Sequence, residues 1–307
     1  MVLTTIPSPL ASIYAKFPLL LLDPLQSTTP LPSPSRIWAL GPPPTGHSES
    51  LDPLCRALQA HARFARIPLD KHTRWVDWDG REAAPGGVLP AVHTERGDLL
   101  VGEEVDAWVR REQAAVEGGA GKGSKRSSGG SEFSTPGLAD DAPPSSATAL
   151  DPTHQAYTAL VETALLPAVL SALYLSPSGT APAVVPRRRK PALSSLVGSV
   201  LRWNDRSARI EEIKRLRVGK TGKKAVLDLE EVEREAVEAI QALEVRMKQK
   251  EGQGEWFAGS STPTRLDALL YALLSIIRVL PSSCDQILRP ALERCPALVD
   301  WVKRHDP

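Results

Sequence analysis

The chain of 307 residues is divided by a stretch with almost no large apolar side chain, residues 118–150. This stretch is rich in glycine, serine, proline and alanine, so it cannot bury the apolar surface that a folded core requires. The residues on its two sides carry different apolar periodicities. We therefore expect two folded parts, residues 36–117 and 151–307, joined by a flexible linker. An extended arm over residues 1–35, containing the apolar patch Phe17–Leu22, precedes them.

The first part alternates short apolar runs with helical patterns. Strands are predicted at Ile37–Leu40, Trp75–Trp78, Gly86–Val92 and Leu99–Val101, and helices at Pro53–Arg66 and Glu103–Glu117. The order of strand, helix, three strands and a second helix is typical of a thioredoxin-like domain. Pro90 fits the position at which such a domain carries a cis-proline, because an X-Pro bond adopts the cis form at low cost.

The helix predicted after the first strand has clear boundary signals. Asp52 is a favoured N-cap residue and Pro53 a favoured first helical residue. Pro68 is expected to end the helix. One buried face is expected from four apolar residues at helical spacing. They are Leu54, Leu58, Ala62 and Ala65.

The second part is predicted to be all helical. Helices are expected at Thr153–Leu175, Ala225–Lys250, Thr264–Leu280, Cys284–Cys295 and Pro296–Arg304. Thr264 and Asp267 form a capping box, in which each side chain binds the backbone N–H of the other residue. The fold class is therefore an α/β thioredoxin-like domain followed by an all-α domain.

The formal net charge of +1 conceals one basic insert, at about residues 176–224. Residues 186–224 hold 13 basic and 3 acidic side chains, a net charge of +10, so the rest of the chain is acidic. Nucleic-acid binding is not expected, since few aromatic residues interleave the charges and no binding motif is present. Two interpretations stay open: a solvated insert, or a contact with anionic lipid or a partner protein. The candidate contact residues are Arg187, Arg188, Arg189, Lys190 and Trp203.

The sequence offers no catalytic, cofactor-binding or metal-binding set. Thioredoxin-like enzymes place a reactive cysteine or serine at the start of the first helix, where the helix N-terminus stabilises a thiolate. Asp52 holds that position, and Cys55, one turn later, is expected to be a packed core residue. Glu104 stands where glutathione-binding proteins usually have a serine or threonine, and its charge would repel the γ-glutamyl carboxylate. To Asp52, Pro90, Thr264 and Asp267 we assign structural roles, as helix caps and as the cis-proline, rather than catalytic ones.

The spacing of cysteine and histidine and the hydropathy of the chain argue against a disulfide-bonded, zinc-binding or membrane-spanning protein. Three cysteines without a pairing framework favour a reducing compartment, and no cysteine–histidine cluster has zinc spacing. No apolar run reaches the ~20 residues of a membrane span without a charge or a proline, so the apolar runs near Ala164–Leu175 and Leu266–Leu280 are predicted to be buried helices. The N-terminus resembles neither a secretory signal nor a transit peptide.

Three segments together resemble a known family. Their sequences resemble those of proteins with a glutathione-transferase-type fold, and the metaxin family is the nearest match. The segments are Leu51–Leu58, Gly87–Val92 and Trp256–Leu274. That branch includes the fungal metaxin-like subunits of the mitochondrial sorting and assembly machinery (SAM). The resemblance implies a glutathione-transferase-type helical domain after the thioredoxin-like domain, and a non-enzymatic protein without a cofactor.

The same resemblance implies a location and partners. The chain would be a peripheral protein on the cytosolic face of the mitochondrial outer membrane. Its partners would be the barrel-forming SAM core subunit, a second metaxin-like subunit and β-barrel precursor proteins. Because the last predicted helix is followed directly by Pro307, the small, signal-recognising subunit is favoured over the releasing one. The alternative function is that of a divergent glutathione-dependent transferase.

Overall fold

Among the residues that the structure describes, every strand precedes residue 102 and every later element is a helix. The computed structural model describes residues 34–41, 48–69, 73–76, 88–120, 152–175, 210–217, 227–249, 255–257, 259–260, 262–280 and 286–306. The strands are β1 Arg36–Leu40, β2 Arg74–Val76, β3 Ala91–His93 and β4 Leu99–Val101. The helices are α1 Pro53–Phe64, α2 Glu103–Ala120, α3 Pro152–Tyr174, α4 210–217, α5 Leu229–Gln249, α6 Arg265–Val279, α7 Leu288–Glu293 and α8 Pro296–His305.

The four strands form one mixed sheet in the order β2-β1-β3-β4. β1 runs parallel to β2 and antiparallel to β3, and β3 runs antiparallel to β4. Ile37 and Val92 are register partners and both are buried. They share a core with residues of α1 and α2, among them Leu58 and Trp108. The predicted strand and helix order of the thioredoxin-like part is therefore confirmed.

Helix α1 differs from its prediction in its end and in its buried face. It ends at Phe64, before Pro68, because Arg66 adopts a left-handed φ of 55°. The N–H groups of Arg66 and Ile67 turn back to carbonyls of the last helical turn, which closes the helix as a Schellman motif. The assignment of Leu54 to the buried face was wrong, since Leu54 is 37% exposed.

Cys55 takes the place of Leu54 in the buried stripe of α1. Cys55, Leu58 and Ala62 lie at positions i, i+3 and i+7, which share one face of a helix, and all three are buried. Leu54 is one residue earlier and is rotated by about 100° from that stripe. The prediction that Cys55 is a packed core residue is confirmed, since its side chain is fully buried in the core of the sheet half.

The helical half has its own, larger core, centred on α6. Twelve of the fifteen residues of α6 are buried, and α3, α5, α7 and α8 contribute to the same core. Helix α1 packs against α6, and Ala60 of α1 belongs to the core of the helical half. Helix α1 therefore contributes one face to the sheet core and another to the helical core.

Helix α3 contains a turn of π-helix at Val161–Leu165. The N–H of Leu166 bonds to the carbonyl of Val161, which is five residues earlier. Pro167 follows directly and has no N–H to donate, so the wider turn accommodates a proline inside a helix. Helix α3 is long and apolar enough to cross a membrane, but 56% of its most apolar window is buried in the protein. The predicted burial of Ala164–Leu175 is thus confirmed.

Three helix boundaries in the second half differ from the predictions. Helix α5 begins at Leu229, four residues after the predicted start. Helix α7 begins only at Leu288, because the chain bends at residues 286 and 287, where Ile287 has a φ of −118°. Helix α2 extends to Ala120, so the first residues assigned to the linker are helical. The domain boundaries themselves stay predictions.

Several sequence predictions fall outside the described residues. They concern the arm segment Phe17–Leu22, Trp78, Gly86, Gly87, the linker from residue 121, Cys284, and the basic residues Arg187, Arg188, Arg189 and Lys190 with Trp203.

Candidate functional site

The start of α1 is closed by side chains of its own segment. Asp52 is the N-cap, and its Oδ1 accepts a hydrogen bond from the N–H of Cys55 at 3.1 Å. The Ser50 hydroxyl donates to the carbonyl of Leu40 at 2.5 Å and accepts from the N–H of Asp52 at 3.1 Å. Ser50 and Asp52 are both buried. Ser50 therefore holds β1 against the start of α1, and Asp52 caps the helix itself.

The Cys55 thiol faces the same strand from the first turn of the helix. Its Sγ lies 3.5 Å from the backbone nitrogen of Leu40. Because the side chain is fully buried in the sheet core, a solvent-borne electrophile does not reach it in this conformation. Reactive cysteines are partly exposed, and Cys55 is not.

The loop before β3 carries the cis-proline that the sequence predicts. The bond between Leu89 and Pro90 is cis, and Leu89 is buried in the sheet core. Val88, directly before it, is 46% exposed. The backbone of the cis-proline loop is therefore preceded directly by the exposed apolar side chain of Val88.

The start of α2 is acidic. Gly102 has a φ of 57°, a left-handed conformation that glycine adopts at no steric cost, and Glu103, Glu104 and Asp106 follow in the first helical turn. Carboxylates at a helix N-terminus are stabilised by the helix dipole. Glu104 Oε2 lies 3.5 Å from the N–H of Val101. An anionic ligand approaching this helix start meets negative charge, as the sequence predicts.

The start of α6 is the most completely bonded helix start described. Asp267 is fully buried, and its Oδ2 accepts from the N–H of Thr264 at 2.8 Å and from the Thr264 hydroxyl at 2.6 Å. Thr264 Oγ1 in turn accepts from the N–H of Asp267, which completes the predicted capping box. The other carboxylate oxygen, Oδ1, accepts from the N–H of Phe257 at 2.6 Å. Asp267 therefore fixes both its own helix and the segment before it.

Comparison with protein families agrees with this architecture. A family model described as the C-terminal domain of glutathione S-transferase matches residues 236–305, which include α6, α7 and α8. Together with the sheet order and the cis-proline loop, this match decides the fold. The chain has a glutathione-transferase-like fold. Comparison with curated proteins found no match.

Solved structures similar to this glutathione-transferase-like chain include three from fungi and bacteria. Glutathione transferase GSTFuA2 from Phanerochaete chrysosporium is 12% identical with a TM-score of 0.49, and the alignment covers 89% of this chain and 98% of that chain. A glutathione transferase family member from Pseudomonas fluorescens, solved with two glutathione molecules bound, is 12% identical with a TM-score of 0.39 over 95% and 97% of the two chains. Gtt2 from Saccharomyces cerevisiae is 10% identical with a TM-score of 0.34 over 82% and 96%.

A buried ionic cluster in this glutathione-transferase-like fold was not predicted. Glu49 lies between two arginines of α1: its Oε2 is 3.1 Å from Arg56 Nε and its Oε1 is 3.0 Å from Arg63 Nη2. The Tyr271 hydroxyl of α6 lies 3.5 Å from the same carboxylate. Burial, helped by the charge of Glu49, raises the pKa of Tyr271, and Arg63 opposes that rise. The only available signal was the spacing of the two arginines, seven residues apart on one helix face.

A separate polar contact, near the start of α6, joins α1 to α2. Gln113 of α2 hydrogen-bonds to His61 and also donates to the carbonyl of Pro263 at 3.3 Å. Burial lowers the pKa of His61 from its ordinary value of 6.5, although the bond to Gln113 opposes this. Burial therefore favours the neutral form of His61 at the junction of the two halves.

The described part of the basic insert is a helix docked on the helical half. Ile213 is fully buried in the helical core. Arg217 Nη2 lies 3.3 Å from Glu231 and 3.4 Å from Glu235 of α5. Within the insert the structure thus buries Ile213 and Arg217, and both interpretations of the insert stay open. Among the described residues, no group of histidine, cysteine, aspartate or glutamate is arranged to hold a metal ion.

Proposed function

We propose that this chain is a non-enzymatic binding scaffold of glutathione-transferase-like fold, acting as a metaxin-like peripheral subunit of the SAM complex. The observation that carries the proposal is the start of α1. Asp52 stands where thioredoxin-like enzymes keep a reactive group, and its carboxylate is used to cap its own helix. Ser50, the nearest described hydroxyl, is buried and bonded to Leu40.

The surroundings of this helix start support binding without chemistry. Cys55 is enclosed in the sheet core, so its thiol is not presented to a substrate. The acidic first turn of α2, with Glu103 and Glu104, opposes a ligand carboxylate. By contrast, Leu54 and Val88 are exposed apolar residues, and they favour an apolar or peptide partner over a small anion.

The resemblance to metaxins supplies the finer part of the proposal. It is carried by the segment Trp256–Leu274, in which Trp256 and Phe257 are buried and Asp267 binds the Phe257 amide. On this proposal the protein lies on the cytosolic face of the mitochondrial outer membrane. It helps to recognise and insert β-barrel precursors beside the barrel-forming core subunit and a second metaxin-like subunit.

The test is affinity purification of the tagged full chain from fractionated mitochondria, with carbonate extraction of the same membranes. We expect the barrel-forming subunit to be recovered and the chain to be released by carbonate, as a peripheral protein is. A chain found in the cytosol, with no outer-membrane barrel protein recovered at low or high detergent, would contradict the proposal.

The second candidate is a divergent glutathione-dependent transferase, which the family match over residues 236–305 and the cis-proline loop favour. Binding to immobilised glutathione and conjugation of a generic electrophile would support it. The matched variant is Glu104→Ser, which restores the hydroxyl that the family uses and removes the repelling charge. If the wild type is inactive and Glu104→Ser binds glutathione, the fold is competent and the native residue excludes the ligand.

The basic insert is proposed to contact anionic lipid head groups on the same membrane. Flotation with vesicles that contain anionic lipid is compared with flotation on neutral vesicles, for the full chain and for a variant with Arg187, Arg188, Arg189 and Lys190 changed to glutamine. Roughly 1 kcal/mol per basic residue near the surface predicts a large loss of binding in the variant. Equal flotation of both chains would remove this contact from the proposal.

A further inference from the structure

The exposed face of α2 carries a symmetrical arrangement of charges. Val105, Trp108 and Val109 bury the opposite face of the helix in the sheet core. Five exposed residues share the outer face: Glu103, Glu104, Ala107, Arg110 and Arg111. Ala107 lies at the centre of this face, with the two glutamates on its N-terminal side and the two arginines on its C-terminal side.

The four charges lie along the two edges of the face. Glu103 and Arg110 are seven residues apart, which is close to two full turns, so they share one edge. Glu104 and Arg111 have the same spacing and share the other edge, turned by about 100° from the first. Ala107 is midway between the edges and midway along them. Rotation by half a turn about an axis at Ala107 therefore exchanges the acidic and the basic end of the face.

This spacing does not suit ion pairs within the helix. Side chains on one helix pair at spacings of three or four residues, and opposite charges here are seven residues apart. In the part of the chain that the structure describes, neither glutamate is paired with a basic side chain. Arg110 Nε donates to the backbone carbonyl of Asp106 at 3.3 Å, and Arg111, 69% exposed, approaches only the adjacent Glu112, at 3.8 Å. These charges are therefore available to another molecule.

We propose that this face of α2 binds the same face of a second copy of the chain, with the two helices antiparallel and Ala107 at the two-fold axis. A two-fold axis brings one surface patch against itself, so the patch must be complementary to itself. Antiparallel helices place the acidic turn of one copy opposite the arginines of the other. Glu103 then lies beside Arg110 of the second copy and Glu104 beside Arg111 of the second copy, and symmetry repeats both pairs.

The small side chain at the centre favours the same arrangement. Packed helices are separated by about 8–10 Å, and the distance depends on the side chains at the contact. The methyl group of Ala107 permits the shorter end of this range, so the flanking glutamates and arginines can reach across. A second alanine on the exposed side, Ala114, follows one heptad later and continues the low centre of the face.

The dimer is expected to be weak and sensitive to salt. One helix face is small compared with the ~800 Å² that each partner buries in a stable interface. Exposed ion pairs are individually weak and are screened by salt. We therefore expect a dimer that forms at high protein concentration and dissociates as salt is raised. The inference does not depend on the proposed function, since every contact joins residues of this chain.

The test is sedimentation velocity of the full chain and of two charge-reversed variants. Glu103→Arg with Glu104→Arg makes the face wholly basic, and Arg110→Glu with Arg111→Glu makes it wholly acidic. We expect the wild type to dimerise at low salt, and the dissociation constant of each variant alone to rise at least about tenfold. A mixture of the two variants should dimerise again, because every pair across the axis then joins opposite charges.

The matched control reverses two exposed acidic residues elsewhere, as Glu238→Arg with Glu293→Arg, and changes the net charge as the basic variant does. It should dimerise like the wild type. Ala107→Arg, which brings a charge against its own copy at the axis, should dissociate the dimer. A wild type that stays monomeric at low salt, a dimer that persists in both reversed variants, or reversed variants that do not associate when mixed would each overturn the proposal.

Discussion

Two helices of the second half, α6 and α8, begin in opposite ways. The start of α6 is capped by its own residues, Thr264 and Asp267, which are three positions apart. The start of α8 has no side-chain cap of its own at Cys295. Instead, Glu244 of α5 accepts hydrogen bonds from the N–H groups of Ala297 and Leu298 at 3.2 and 3.0 Å. The first N–H groups of each helix need hydrogen-bond acceptors. In α6 a neighbouring residue supplies the acceptor, and in α8 a residue distant in sequence supplies it.

The difference changes what each cap holds together. A local cap stabilises one helix and, through Asp267 and Phe257, the segment directly before it. The cap from Glu244 joins two helices that are far apart in sequence, and Lys248 Nζ lies 3.0 Å from the same carboxylate. Glu244 is buried, so its charge must be matched by these donors. Its loss should therefore affect the packing of α5 and α8 together.

The largest effect is expected for Asp267→Ala. The substitution leaves the buried N–H group of Phe257 and the partly buried N–H group of Thr264 without this acceptor, and a buried group without an acceptor costs about 1–3 kcal/mol. We expect the free energy of unfolding to fall by about 3–4 kcal/mol in urea denaturation. Asp300→Ala, which removes an exposed carboxylate, should change it by less than about 0.5 kcal/mol. A loss at Asp267 as small as at Asp300 would show that this cap is not needed.

The next effect is expected for Glu244→Ala, at about 2–3 kcal/mol, since two helix N–H groups and Lys248 lose their partner. Glu244→Gln keeps one acceptor oxygen and should lose less than half as much. Hydrogen exchange distinguishes the two cap types: Glu244→Ala should accelerate the first turn of α8 while α6 stays protected. Protection of α8 unchanged from wild type would mean that its start has another acceptor.

A smaller effect is expected at the cap of the sheet half. Asp52→Ala removes the acceptor of the Cys55 N–H and should cost about 1 kcal/mol, the usual value for an N-cap. Asp52→Asn keeps an oxygen acceptor and should be within about 0.5 kcal/mol of wild type. Thermal unfolding measures both. If Asp52→Asn is as damaging as Asp52→Ala, the carboxylate charge rather than the cap geometry is what matters.

The smallest effect is the pH dependence that His61 confers. Its folded pKa lies below the unfolded value of 6.5, so the unfolded chain binds more protons just below that pH. The contribution of His61 to stability is complete above pH 6.5 and is lost as the pH falls from 6.5 through the folded pKa. His61→Gln should flatten the stability curve in this window, whereas His93→Gln serves as the control. A curve unchanged by His61→Gln would contradict the neutral, buried state.

Much of this fold could be predicted because its signals act within one or two helical turns. Asp52 with Pro53, and Thr264 with Asp267, mark helix starts through bonds that span three residues, and such bonds form wherever the chain forms that turn. The position of Pro90 likewise predicted the cis bond. Boundaries without a side-chain cap, such as the ends of α1 and α7, were predicted less well, since backbone conformation alone sets them.

The buried contacts between elements could not be predicted in the same way. Apart from the spacing of Arg56 and Arg63, nothing in the sequence marks Glu49 as their partner, and nothing marks it as a neighbour of Tyr271, which is 222 residues away. The docking of α4 was hidden by its charge, because Arg217 resembles its exposed basic neighbours until Glu231 and Glu235 are brought beside it. Leu54 was assigned to the core because apolar spacing alone does not fix which face of a helix is covered.

The sequence by itself determined where α1 and α6 begin, which half contains strands, and that the position of a reactive group at α1 is held by Asp52. Those features follow from bonds between residues that are near each other in the chain, whatever the rest of the chain does. The tertiary structure decided which charges are buried and paired, from Glu244 at α8 to the contact between Arg63 and His305 across 242 residues. A buried charge needs a partner in space, and only the packing of the elements brings that partner to it.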